Sequence, residues 1–269
     1  MNRLAHSKRV QMLSCLVDGC SMEATARIVH VAPNTVAKFL VDLGKACTRY
    51  QARVFENIFC KRIQCDEIWS FVGCKEKNVT NNGKRQGDTW TWIACDPDTK
   101  LVPCWFIGRR DSESAKKFMR RLARHLSLGS TQITTDGLKA YINAIKEILW
   151  IETSYGMVEK KYDVSGDDHR TRYIGSEKTA IFGNPDPDTM NTSIVERQNL
   201  TMRMSMRRFT RKTNGYSKKI ANHRYAIALH FMYYNFARIH STLNTTPAVA
   251  AGIANHVWSL DKILKLIER

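Results

Sequence analysis

Between Arg197 and Leu260 the chain has no aspartate or glutamate at all, although ten lysines and arginines fall in that interval. The whole chain leans the same way, with a net charge of +17 and a pI near 9.7. Such an excess calls for a polyanionic partner, either nucleic acid or an anionic membrane surface. Long apolar runs are missing too: none approaches the roughly 18 to 20 residues that a bilayer requires. The N-terminal MNRLAHSKRV offers neither an apolar core nor a small-residue cleavage site, so no secretory signal is expected. Nucleic acid is therefore the leading partner, ahead of a membrane. No CxxC pair occurs among the eight cysteines, all of which lie within the first 104 residues, and no histidine follows them at zinc-finger spacing. Cys60, Cys65 and Cys74 make a poor zinc set, and the cysteines read as free thiols in a reducing cytoplasm. A glycine-rich phosphate loop is absent as well, so no nucleotide cofactor is expected.

What is present is enough apolar sequence, 43%, to exclude disorder and build a substantial core. From Arg9 to about Cys47 the spacing predicts three short helices. The first carries Val10, Leu13 and Val17 on one stripe and ends at Gly19; Ser21 caps the second; Pro33 opens the third. Helix, helix, tight turn, helix is the helix-turn-helix order. Asn34, Thr35 and Lys38 then lie on the exposed start of a recognition helix, and Val36, Phe39, Leu40 and Leu43 pack inward.

Near Phe59 the period changes from helical to alternating. KRIQCDEIWSFVG, DTWTWIACD and LVPCWFIGR read as three strands joined by polar turns, an antiparallel meander. Ser112 is expected to cap a helix with Phe118, Leu122, Ala123 and Leu126 on one face. TQITTDG is a short strand closing on Gly137, LKAYINAIKEIL a helix, and Tyr155 to Tyr162 a further strand. Asp163 to Met190, bearing glycine, aspartate and proline, reads as an irregular stretch. Two helices follow, one from about Asn191 and a long one after Tyr216. That order predicts an α/β fold, a mixed sheet flanked by helices and preceded by a small all-α helix-turn-helix domain. The expected domains are residues 1–58, 59–215 with the insertion near 163–190, and a basic helical tail over 216–269.

Three carboxylates stand out by position. Asp66 lies in the first strand, Asp136 at the C-terminal end of a strand before a glycine, and Glu196 at the front of a helix after the sheet. Strand ends in α/β sheets are where ligands bind. Carboxylates converging there repel one another unless cations neutralise them, and Mg²⁺ suits such an oxygen-rich site. Glu67 neighbours Asp66, but alternate strand residues point to opposite faces, so only one of the pair is expected to be a ligand.

The segments QCDEIWSFVG, TTDGLKAY and NTSIVERQN, in this order, resemble the three catalytic blocks of the bacterial insertion-sequence DDE transposases. The tail YNFARIHSTLNTTPAVAAGI is similar to their C-terminal segment, with Asn235, His240, Leu243, Thr246 and Pro247 in the family's positions. The resemblance implies a ribonuclease-H-like core and Asp66, Asp136 and Glu196 as catalytic ligands of Mg²⁺ or Mn²⁺, two ions in all. It implies cleavage of a phosphodiester at the element end, transfer of the freed 3′-hydroxyl into target DNA, and a homodimer or higher assembly on two ends in a bacterial cytoplasm. The gap between Asp136 and Glu196 is longer than in many relatives, and the irregular stretch would absorb the difference.

On a helical wheel Val195, Met202, Met206 and Phe209 share one stripe, and Glu196, Arg203 and Arg207 share the next. Arg203, Arg207, Arg208, Arg211, Lys212, Lys218 and Lys219 are thus expected to contact DNA phosphates. Two rival readings remain, a regulator that uses only the helix-turn-helix and a nuclease of the same fold that cuts without joining.

Overall fold

Helical spacing at the N-terminus becomes three helices, α1 (His6–Val17), α2 (Met22–Val29) and α3 (Pro33–Val54), in a computed structural model that describes residues 4–79, 87–127, 129–149, 153–163 and 172–268. Ser21 caps α2 by accepting from the Ala24 amide at 3.0 Å, and Pro33 stands at the start of α3. His30, with φ 55°, makes the left-handed turn between α2 and α3. Val36, Phe39, Leu40 and Leu43 are buried as expected. The third helix runs on to Val54, beyond the expected end at Cys47.

The alternating segments become strands β1 (Arg62–Val72), β2 (Gly87–Cys95) and β3 (Cys104–Gly108). Then come α4 (Ser112–Ala123), β4 (Thr131–Thr135), α5 (Ala140–Ile148), β5 (Thr153–Asp163) and β6 (Arg172–Phe182). Helices α6 (Ser193–Ser205), α7 (Ile220–Phe236), α8 (Pro247–Ala250) and α9 (Leu260–Leu264) complete the chain. The six strands form one sheet in the order β3-β2-β1-β4-β5-β6. β4 pairs in parallel with both β1 and β5, and β5 pairs antiparallel with β6. This is the expected mixed sheet of an α/β fold.

Three expectations are corrected. The stretch taken as irregular contains a full strand, β6, which pairs along β5 from Tyr155↔Phe182 to Asp163↔Arg172. Its alternation was hidden by exposure on both faces, since most of β6 is in solvent. Residues 164–171 and the turn over 80–86 lie outside the described residues. The cap of α4 is Asp111, whose carboxylate accepts from the Ser114 amide at 2.8 Å, and Ser112 is the first helical residue. Helix α6 stops at Ser205; Met206 is extended, and Arg207 lies in a separate 3-10 turn over Arg207–Phe209.

The chain divides into two compact units, Met1–Phe55 with Trp69–Thr91 and Gln198–Arg269, and Glu56–Ile68 with Trp92–Arg197. In the first unit α3 packs on α7, and Gly44 permits the contact: a Cβ there would lie 2.3 Å from the Tyr225 Cβ and 2.6 Å from its carbonyl oxygen. Gln51 of α3 donates to the Ala228 carbonyl at 3.0 Å, and Tyr50, Phe55, Phe236 and Trp258 form an aromatic cluster beside it. The second unit has its core at Ile63, Trp92, Ile93, Phe118, Ile133 and Tyr141. Trp92 stacks edge-on against Tyr141 and donates its indole N–H to the Arg109 carbonyl at 3.0 Å. All eight cysteines are free thiols, five of them buried. Among the described residues no helix is long and apolar enough to cross a membrane.

Candidate active site

Strand register brings the first two carboxylates together. β1 and β4 pair Ile63↔Ile133, Gln64↔Thr134 and Cys65↔Thr135, so the next residues in line are Asp66 and Asp136. Opposite residues on parallel neighbours share a face, with strands about 4.8 Å apart. Continuing across β5, where Thr135 pairs with Met157, the same face carries Val158 and then Lys160. Asp66, Asp136, Val158, Lys160 and Glu196 line a single cleft of about 460 Å³, together with Gly137, Glu159, Tyr162 and Thr192. The three predicted acids therefore line one cleft.

A residue that the sequence reading passed over positions the third of them. Gln64 is 2% exposed and lies two residues before Asp66, on the same face of β1. Its side-chain oxygen accepts from the Ile194 and Val195 amides at 3.0 and 3.1 Å, and its nitrogen donates to Asn191 at 2.8 Å. The first amides of a helix have no partner within it, so a strand glutamine caps α6 and fixes the turn that carries Glu196. Gly156 in β5 completes the seat, because a Cβ there would fall 2.3 Å from the Met190 methyl group. Glu196 itself bonds Thr192 Oγ1 at 2.6 Å and pairs with the Lys160 ammonium.

Glu67 lies nearer to the two aspartates than a position on the opposite face suggests. Its carboxylate is buried on the opposite side, accepting from Tyr141 Oη at 3.1 Å and from Arg110 Nε at 2.6 Å. Yet one oxygen each from Asp66, Glu67 and Asp136 lie within 4.8 Å of one another. Asp66 and Glu67 lie midway along β1, and Asp136 just past the end of β4. Arg110 links the two sides, its Nη2 lying 3.6 Å from Asp136 Oδ2. Glu196 stands outside this tight cluster but lines the same cleft.

The electrostatics match that crowding. Burial, then the charges of Glu67, Asp136 and Glu196, push Asp66 up to about 7, although its oxygen accepts the Glu67 amide. Burial also raises Asp136, against the opposing pull of the Leu138 amide bond and Arg110. Glu67 is raised by burial and Asp136, and held back by Arg110 and Tyr141. Hard oxygen donors with more negative charge than two local cations balance fit a divalent ion such as Mg²⁺ or Mn²⁺.

Residues 76–166 match the family model for the DDE domain of IS240-type transposases. That likeness to a DDE domain spans 91 of the 269 residues. The matched span holds Asp136, begins after Asp66 and ends before Glu196. Solved structures similar to the chain include a piggyBac transposase synaptic complex with hairpin DNA, at 12% identity over 98% of this chain and 71% of that one, with a TM-score of 0.43. A Mos1 mariner paired-end complex with Mn is similar at 10% identity over 86% of this chain and 76% of that one, with a TM-score of 0.28. No curated protein matches the chain.

The basic residues expected to meet DNA fall in the other unit. Asn34 and Lys38 are exposed at the start of α3, with Thr35 half-buried. Arg207, Arg208, Lys212 and Lys218 line one cavity of about 620 Å³ with the α1–α2 turn. Arg207, Arg211, Lys212, Lys218 and Lys219 are exposed and Arg203 is half-buried. Arg208 departs from the expectation: its guanidinium donates to Ser217 Oγ at 3.0 Å and the Asn222 carbonyl at 3.1 Å, and burial lowers its pKa to about 10. It braces the unit's interior.

Proposed function

We propose that this chain is a DDE transposase, which cuts a phosphodiester at the ends of its element and transfers the freed 3′-hydroxyl into target DNA. The observation that carries the reading is the register of Asp66 with Asp136 in a cleft that Glu196 also lines, in a chain whose residues 76–166 match a DDE-domain model. Asp66, Asp136 and Glu196 are the proposed metal ligands, for two ions. Bound Mg²⁺ or Mn²⁺ would lower the pKa of an attacking water or 3′-hydroxyl and stabilise the leaving oxygen. The chain's own work is to hold the acids in place. Gln64 seats Glu196, Arg110 and Tyr141 hold Glu67 behind Asp66, and the Leu138 amide at 3.1 Å orients Asp136. Lys160, paired with Glu196, and Arg110, beside Glu67 and Asp136, moderate the repulsion among the carboxylates.

Double-stranded DNA is the proposed substrate. Asn34, Thr35 and Lys38 reach base edges from the helix-turn-helix, and Arg203, Arg207, Arg211, Lys212, Lys218 and Lys219 contact phosphates. A homodimer or higher assembly holding two ends, in a bacterial cytoplasm, completes the proposal. The test incubates purified protein with labelled DNA from the gene's flanks and a target plasmid, with Mg²⁺ or EDTA, beside Glu196→Gln. Metal-dependent nicking and joined product, both lost in the variant while binding survives, is the expected result. Binding without cleavage in any metal overturns the reading in favour of a regulator, and cleavage without joining favours a nuclease.

A further inference from the structure

The hairpin that the sequence concealed has an unusual surface. Tyr162 is 52% exposed, Tyr173 55% and Ile174 61%. Tyr162 and Tyr173 pair directly across the β5–β6 ladder, beside a register shift at Lys161/Tyr162. Their rings meet edge to face with centroids 6.0 Å apart. Directly opposed aromatics on an antiparallel ladder stabilise it by their contact, but half of each ring's surface is left in water. Below them on the same face lies a cleft of about 480 Å³, lined by Lys160, Tyr162, Tyr173, Lys178, Met190 and Thr192 among others. Tyr162, Lys160, Val158 and Thr192 also line the acidic cleft, so the two hollows share a wall.

Resting on the transposase reading, we infer that Tyr162 and Tyr173 form a stacking site for an unpaired nucleotide of the DNA strand whose phosphodiester enters the acidic cleft. Three features select that occupant. The cleft volume suits a small polar-apolar ligand such as one nucleoside. Exposed aromatic faces flanked by lysines are the combination that holds single-stranded nucleic acid, rings taking bases and ammonium groups taking phosphates. Lys160 supplies the first cation and Lys178, bonded to the Pro187 carbonyl, the second. The shared wall also sets the spacing: a base on Tyr162 has its own phosphate next to Lys160, at the rim of the acids. Tyr162 and Tyr173 are thus binding residues for a strand that has left the duplex, which a duplex end supplies by fraying.

The experiment uses the full chain in EDTA, so that binding is read apart from cleavage. The probes are a blunt duplex and the same duplex with a four-thymidine 3′ overhang carrying 2-aminopurine. Wild-type protein is expected to bind the overhang more tightly and to change the 2-aminopurine emission. Tyr162→Ala/Tyr173→Ala should weaken overhang binding about ten- to hundredfold, abolish the emission change and leave the blunt duplex within about threefold. Tyr162→Phe/Tyr173→Phe should keep both signals, since a phenyl ring stacks as well, and this controls for folding. Equal overhang binding by wild type and the alanine pair overturns the inference, as does a variant that alters only self-association, which would make the patch a contact between copies. If wild type shows the stacking signal yet never cleaves with metal, the transposase reading fails and the nucleotide site stands.

Discussion

Two groups of buried titratable residues, one in each unit, meet the same desolvation cost in opposite ways. In the first unit His223 is fully buried between Ser70 Oγ at 3.2 Å and Ser217 Oγ at 3.0 Å, and His230 lies beside Gln198 at 3.4 Å. Burial, with Arg208 and Arg238 respectively as minor causes, lowers both to about 3. Both are neutral at physiological pH and each has a polar neighbour in reach. In the second unit the acids midway along β1 and just past β4 are gathered without enough positive charge, and Asp66 is raised to about 7. A buried group made neutral and hydrogen-bonded supports a fold; one held close to like charges stores a demand for a ligand. That contrast separates the structural polar centre from the chemical one.

The sharpest way to break the comparison is to remove one carboxylate. Asp136→Asn is expected to lower metal-dependent cleavage by on the order of a thousandfold, with DNA binding unchanged in a gel-shift assay. Cleavage within tenfold of wild type would remove Asp136 from the chemistry. Next in size is Gln64→Leu, which strips the cap from α6 and leaves two buried amides unpaired, costing about 2–4 kcal/mol by urea unfolding. Gln64→Glu keeps the accepting oxygen and should recover most of that loss.

The histidines test the other side. Their folded pKa values are depressed, so the stability they contribute is present above about pH 6.5 and is lost as pH falls toward 3. Each steepens acid unfolding by up to about 1.4 kcal/mol per pH unit in that window. His223→Gln should flatten the profile measured by thermal melts between pH 4 and 7, and an unchanged slope would show that His223 is not buried neutral. Asp66 has the reverse sign. Its pKa is raised, so its contribution is fullest below about 3.8 and is lost as pH rises through 7. Asp66→Asn should therefore raise Tm at pH 8 by about 2–4 °C, on the order of 1 kcal/mol. In wild type, Mn²⁺ affinity by calorimetry should climb between pH 6 and 7 and level above, because binding requires the ionised form. Smallest of all is Lys212→Ala, expected to reduce the salt slope of DNA binding by about 1.

Much of this was legible beforehand because the signals were local. The inward stripe of α3, the strand character of QCDEIWSFVG and the placement of Asp66 and Asp136 at a strand and a strand end need only periodicity and turn chemistry. Glu196 was marked by its contrast with the basic run behind it. The misses share one cause, that their signal was not local. Gln64 looks like any polar strand residue until the amides of Ile194 and Val195 arrive from 130 positions away. Arg208 reads as one more surface cation until Ser217 and Asn222 close on it. β6 has exposed residues on both faces, so no alternation marks it, and its partner strand alone makes it a strand.

By itself the sequence determined the class of fold and the sign of the chain's own charge, because apolar period and net charge are properties of residue type and of neighbours along the chain. Only the tertiary structure decided which acids share a cleft, how far Glu67 joins them and what holds Glu196 there. Those depend on strand register and on hydrogen bonds across long separations, where a shift of one residue would turn each side chain to the other face of the sheet.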